Sequence, residues 1–163
     1  MKWIGIPLIL LCAFYAGRGL YSELAERERL LSELCRFLNA ASNGIRITLA
    51  PLDRIIGSSA AEEKSPEFLR VCAARLGEGY GFPEAWRAAM RDSPDIGLLR
   101  DGELTELGRL GETLGRSDVR GELALLGQSL EYFSACREVA RTELREKSKM
   151  YMTCYLFDRA QLC

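Results

Sequence analysis

The stretch SDVRGELALLGQSLEYFSACREVARTEL, residues 117–144, decides how the rest of the chain folds. Apolar residues recur at Val119, Leu123, Leu126, Leu130 and Phe133, then beyond Arg137 at Ala140 and Leu144, with intervals alternating between four and three. That spacing holds one stripe on one face of a helix, a heptad-like seam that requires a partner helix to cover it. The surrounding charges, among them Glu131, Arg137, Glu138, Arg141 and Glu143, fall mostly off the seam and read as a solvated face.

The natural partner lies at the other end of the chain. From Ser22 to Ser42, Leu24, Leu31, Leu34 and Leu38 form one stripe, while Glu23, Arg27, Glu28 and Arg29 fall largely off it. Asn43-Gly44 is an ordinary stop signal, although Ile45, Ile47 and Leu49 extend the apolar pattern towards Pro51. Pro51 opens a short helix carrying Leu52, Ile55 and Ile56, which Gly57-Ser58-Ser59 is expected to end. Ser65 as N-cap, Pro66 at the first helical position and Glu67 in the first turn predict a helix to Leu76, closed by Gly77 and Gly79. Another begins near Pro83-Glu84 and stops before Ser93-Pro94, and a further one runs from Asp101 or Gly102 to Leu114-Gly115, where the glycine fits a left-handed cap. No segment alternates as a strand does. The expected fold is all-α: an antiparallel helical bundle built on the first and last long helices.

Composition narrows the function. The 163 residues carry 22 basic and 23 acidic side chains, so a net charge of -1 gives no general reason to bind nucleic acid. Histidine is absent, which removes the commonest general base and the commonest metal ligand. The six cysteines, at 12, 35, 72, 136, 154 and 163, stand singly, without the paired spacing of zinc or redox sites. Cys35, Cys72 and Cys136 read as small apolar residues on helix faces, which fits a reducing, cytoplasmic setting.

Trp3 to Gly17 is an unbroken uncharged run, bounded by Lys2 and Arg18. With Gly19, Leu20 and Tyr21 added, and Arg18 snorkelling, it reaches the length of a transmembrane helix, so residues 1–21 are expected to form an anchor. A cleaved signal peptide is the rival, but Ala13 and Ala16 stand three apart and miss the A-x-A pattern. Lipidation of Cys12 is a second rival, set against the bulky Leu11 before it. Arg18, Arg27, Arg29 and Arg36 follow the run and only Lys2 precedes it, which places residues 22–151 in the cytoplasm as a single-pass protein's soluble domain.

Catalytic motifs fail on inspection. Gly57 precedes Lys64-Ser65 as in a phosphate-binding loop, but Glu62-Glu63 occupy the place where glycine amides would cradle phosphate. Glu62-Glu63 and Asp101/Glu103 read as charges at helix N-termini. No catalytic, cofactor-binding or metal-binding residue is assigned, and no cofactor is expected. Gly108, Gly111, Glu112, Leu114 and Gly115 are the candidate packing or interaction residues. Each glycine inside a helix costs about 1 kcal/mol relative to alanine, so something must compensate. Gly108 and Gly111 lie close on one face, where a missing Cβ admits either another helix of the same chain or a docking partner. Glu112 lies beside that face.

Gly111-Glu112-Thr113-Leu114-Gly115 followed by Ser117-Asp118 and a long charged helix resembles the stage III sporulation protein AB family. So do the apolar start, Pro51-Leu52, the turn Gly81-Phe82-Pro83-Glu84-Ala85-Trp86 and the closing Lys147-Ser148-Lys149-Met150-Tyr151, in that order over residues 3–151. The resemblance implies a cytoplasmic domain similar to that of the inner-membrane platform protein of type II secretion. It also implies membership of the channel joining mother cell and forespore, beside a secretion-type ATPase, stage III sporulation protein AA, and other channel subunits. The expected place is the mother-cell membrane around the forespore; no nucleic acid partner is expected, and a homo-oligomer stays open. Residues 152–163 depart from the family, whose members usually end in a second hydrophobic segment; this tail is too short and polar to span a bilayer, as if the frame were lost near Tyr151. A small membrane-bound regulatory or signalling helical module is the alternative function.

Overall fold

The seam of residues 117–144 is covered by the first long helix. The computed structural model describes the backbone of residues 5–48 and 51–160 and the side chains of 21–47 and 51–149. Its elements are α1 (Gly5–Asn43), a π-helical turn (Gly44–Thr48), α2 (Leu52–Ala60), α3 (Glu67–Gly77), α4 (Phe82–Asp92), a 3-10 turn (Pro94–Leu98), α5 (Asp101–Thr113) and α6 (Val119–Ala160). The expected anchor, residues 1–21, falls outside the described side chains apart from Tyr21. Among the described residues no helix is long and apolar enough to cross a membrane. The tail expected over 152–163 continues α6 as helix to Ala160, and its side chains also lie outside the described residues.

Helices α1 and α6 run antiparallel, as the cross-contacts show: Arg27 Nη1 lies 3.8 Å from Glu143, Arg141 Nε 4.0 Å from Glu28, and Cys35 Sγ 3.7 Å from Ser134 Oγ. The pairing buries Leu31, Leu34 and Leu38 on α1 and Leu126, Phe133 and Ala140 on α6. Each large apolar side chain removed from water there contributes about 1.5–3 kcal/mol before the entropy of ordering it is subtracted. Val119, the seam's first residue, is 43% exposed because it begins α6 where the bundle ends.

The short helices α2 to α5 fill in against this pair. The loosely bounded end of α1 does not stop at Gly44: the backbone continues as a π turn that buries Ile45 and leaves Ile47 outside. A methyl group on Gly44 would come within 3.0 Å of Ile55 Cδ1, so its bare Cα lets α2 settle against the turn. Gly57-Ser58-Ser59 does not end α2; the helix continues to Ala60, with Ser59 buried and Ser58 donating back to the Ile55 carbonyl at 2.8 Å. Helix α3 closes as the glycines predict, with Gly79 at φ +93° and the Tyr80 amide donating to the Arg75 carbonyl at 3.2 Å.

The start of α3 differs from expectation. Ser65 makes no capping bond, and its buried Oγ has no partner. The Phe68 amide donates instead to Asp95 Oδ2 at 3.1 Å, from the 3-10 turn 27 residues away. Local sequence cannot announce a cap delivered by a distant turn. Burial pushes the Asp95 carboxyl above its ordinary value, against the opposing pull of the Phe68 hydrogen bond. With the folded value raised, this group's favourable contribution is complete below the ordinary carboxylate range and fades as pH rises through the raised value.

Asp95→Ala is expected to cost about 1 kcal/mol through loss of the cap. Ser65→Ala should leave stability unchanged or raise it, because it removes a buried hydroxyl that bonds to nothing. Thermal unfolding of the two purified variants checks this; a larger loss from Ser65→Ala would return the cap to the serine.

Candidate functional site

The glycine segment of α5 is built around one tryptophan. Trp86 on α4 is fully buried, and its indole N–H donates to the Leu107 carbonyl at 2.9 Å. Its ring meets Phe68 of α3 edge-on at 4.7 Å between centroids, Phe82 at 5.4 Å and Phe37 of α1 at 6.1 Å. The indole lies directly on Gly111: a methyl group there would overlap Trp86 Cδ1, Nε1 and Cγ. Gly111 is the compensated glycine, because only a residue without a side chain lets α5 approach the ring.

The other flagged residues separate from it. At Gly108 a methyl group would sit 3.9 Å from Met90 Cε, an ordinary contact, so nothing demands a glycine. Leu114 is buried in the core and Glu112 is exposed. Gly115 adopts φ +85° after the end of α5, the left-handed position predicted for it, with Leu52 Cδ1 3.1 Å from where a Cβ would stand. The structure therefore brings Gly108 and Gly111 to the α4 face of α5 and Gly115 to the start of α2, while Glu112 faces solvent.

A second constellation was not legible as a site. Arg27, read as off the α1 stripe, is 5% exposed, and Glu103, read as an N-terminal charge, is 2% exposed. They form a buried ion pair between α1 and α5 through two nitrogens of the guanidinium. Glu103 also accepts the Arg100 amide at 2.8 Å, which caps α5. Arg100 clamps Glu143 of α6 at 2.8 and 2.9 Å, and Glu143 lies 3.8 Å from Arg27 Nη1, so three helices meet on four charges. Beside them, burial pushes the Cys136 thiol up, and the Glu103 charge adds to the effect. Cys72 is pushed up to about 12 by burial alone, and Cys35 is raised by burial against the pull of Ser134. Protonated thiols in such places behave as the small apolar groups the sequence suggested. The one sequence signal for the ion pair was Glu103 three residues beyond Arg100, the spacing of a capping carboxylate.

Both constellations join helices of one chain, and what they define is an all-α helical bundle. A family model described as Stage III sporulation protein AB (spore_III_AB) matches residues 2–157, and the chain belongs to that family. Its members are structural proteins of stage III of sporulation, not known as enzymes. Among solved structures, one titled "Stage III sporulation protein AB (SpoIIIAB)" is 21% identical, with a TM-score of 0.62, over 74% of this chain and 97% of that one, and shares the fold. A search of the curated proteins finds no match.

Gly111→Ala is expected to destabilise the bundle by about 1–3 kcal/mol through overpacking against Trp86, whereas Gly108→Ala should gain about 0.5–1 kcal/mol from helix propensity. Denaturant unfolding separates the two, and equal effects would remove the special role of Gly111. For the ion pair, Arg27→Met is expected to cost about 3–5 kcal/mol because it strands a buried carboxylate. Adding Glu103→Gln, which keeps an acceptor for the Arg100 amide, should restore most of that loss. A double variant no better than Arg27→Met alone would show that packing, not charge, is what Arg27 supplies.

Proposed function

We propose that this protein is a membrane-anchored structural component of the channel joining mother cell and forespore, a platform that holds a cytoplasmic secretion-type ATPase, stage III sporulation protein AA, at the membrane. The observation that carries the reading is the antiparallel pairing of α1 and α6. It sends the start of α1 and the end of α6 to the same end of the bundle, where the uncharged run of residues 3–17 continues α1 towards the bilayer. The opposite end, formed by the π turn, the start of α2 and the α5–α6 turn, is left to face the cytoplasm. Family membership supports the role in stage III sporulation. In this reading the protein is single-pass in the mother-cell membrane around the forespore, attached through its N-terminal helix.

Affinity capture of the tagged full chain from sporulating cells is expected to recover the ATPase together with other channel subunits. Recovery of the chain from membranes without any channel subunit would refute the platform.

A further inference from the structure

A groove of about 210 Å³ is lined by α1, the start of α3 and the 3-10 turn. It has room for one extended side chain and falls below the ~300–1,000 Å³ of pockets that take drug-sized ligands. Its lining divides by exposure. Glu26, Arg29 and Glu33 of α1 and Lys64, Glu67 and Arg70 around the start of α3 are exposed, apart from half-buried Glu33. Glu33 is paired with Arg36, and Arg70 is held by Glu67 and by the Ser65 carbonyl, each at 3.2 Å. Exposed charges of both signs are hydrated and screened, so this rim decides little.

The deeper lining is different. Leu30, Ser65 and Pro66 are buried, and Asp95 and Leu98 are half-buried. Two polar groups interrupt this apolar surface. Ser65 is 5% exposed, and among the described residues neither its Oγ nor Asp95 Oδ1 has a hydrogen-bond partner, although both are shielded from water. Asp95 Oδ2 takes the Phe68 amide, but among the described residues no cation meets the carboxylate. The deeper lining therefore carries a single charge, negative and without a counter-ion, which is costly to bury unless a ligand supplies one. Its complement is one positive charge at the end of an apolar stem. A guanidinium suits it better than an ammonium, being more weakly hydrated and able to donate to two separate acceptors. A polyamine would bring further positive charges against Arg29, Lys64 and Arg70 at the rim.

We propose that this groove takes one arginine side chain of a partner protein, its stem against Leu30, Pro66 and Leu98 and its guanidinium beside Asp95 and Ser65. The inference stands independently of the platform reading. Asp95 keeps its cap on Phe68 and acts through its charge, while the Ser65 hydroxyl, bonded to nothing, is free to turn and accept a second N–H.

The test titrates N-acetyl-arginine amide, a capped mimic of an arginine within a chain, into the isotope-labelled full chain in detergent micelles and follows the Phe68 and Leu69 amides by NMR. Saturable shifts with a dissociation constant on the order of 1 mM are expected, the range of a fragment of this size. N-acetyl-citrulline amide, of the same shape without the charge, should bind at least about tenfold more weakly. Asp95→Asn, which keeps an acceptor for the Phe68 amide, is expected to weaken binding of the arginine compound about tenfold or more, and Glu26→Gln at the rim by about fivefold at most. Absence of saturable binding overturns the inference and leaves the groove to water. So does equal binding of the citrulline compound, or an equal loss from Glu26→Gln and Asp95→Asn, which would reduce the effect to surface charge. Tighter binding of free arginine or of spermidine than of the capped compound overturns the assignment to a partner's side chain. Unfolding temperature reads folding separately, and the citrulline comparison, made on the unmodified chain, decides the matter where Asp95→Asn fails to fold.

Discussion

The bundle depends on one contact, the indole of Trp86 seated on the bare Cα of Gly111. Through that ring α1, α3, α4 and α5 meet, by way of Phe37, Phe68, the helix that carries Trp86 and the Leu107 carbonyl. A fully buried tryptophan brings a large apolar area and one N–H that must find an acceptor. Both needs are met by a single stretch of α5, and only if that stretch offers no side chain at the point of contact. Two of the short motifs that carry the chain's resemblance, the Gly81–Trp86 turn and the Gly111–Gly115 segment, are the two sides of this contact. The positive φ of Gly115 then turns the chain immediately beyond it and aims α6 back along α1.

Much of the architecture was legible because its signals are local. The alternating four-and-three spacing of α6, the proline starts of α2 and α4, and the glycine stops after α3 and α5 each act within a turn or two, and each appears where the spacing places it. What the sequence hid was non-local. Asp95 caps α3 across 27 residues and displaces Ser65 from that role. Arg27 and Glu103, 76 positions apart, are ordinary surface charges until the fold sets them against each other. Gly57 looked like a stop, but α2 is held by the burial of Ile55, Ile56 and Ser59 on both sides of it, and packing overrode a propensity of about 1 kcal/mol. For the candidate site, the compensated glycine was foreseeable; which glycine, and what compensated it, required Trp86 in place.

The buried charges set register more than they add stability. A buried ion pair gains in attraction roughly what it loses in desolvation, so a well-packed apolar pair would hold α1 to α5 as well. An apolar seam, however, tolerates sliding. The buried pair of Arg27 and Glu103 fixes α1 and α5 at one level, because a slip of either strands a buried charge, and the exposed pair of Arg100 and Glu143 ties α6 to the same level. Such fixation matters in a bundle whose two longest helices both leave at the same end.

Two constraints then locate any partner surface. Gly111 offered a docking face in the sequence, but Trp86 occupies it, and Gly108 retains no contact that requires a glycine. The end where α1 and α6 leave is tied together by the four-charge cluster, whose central pair is inaccessible. Outside these regions, the π turn leaves Ile47 protruding, 73% exposed, next in sequence to an exposed Arg46.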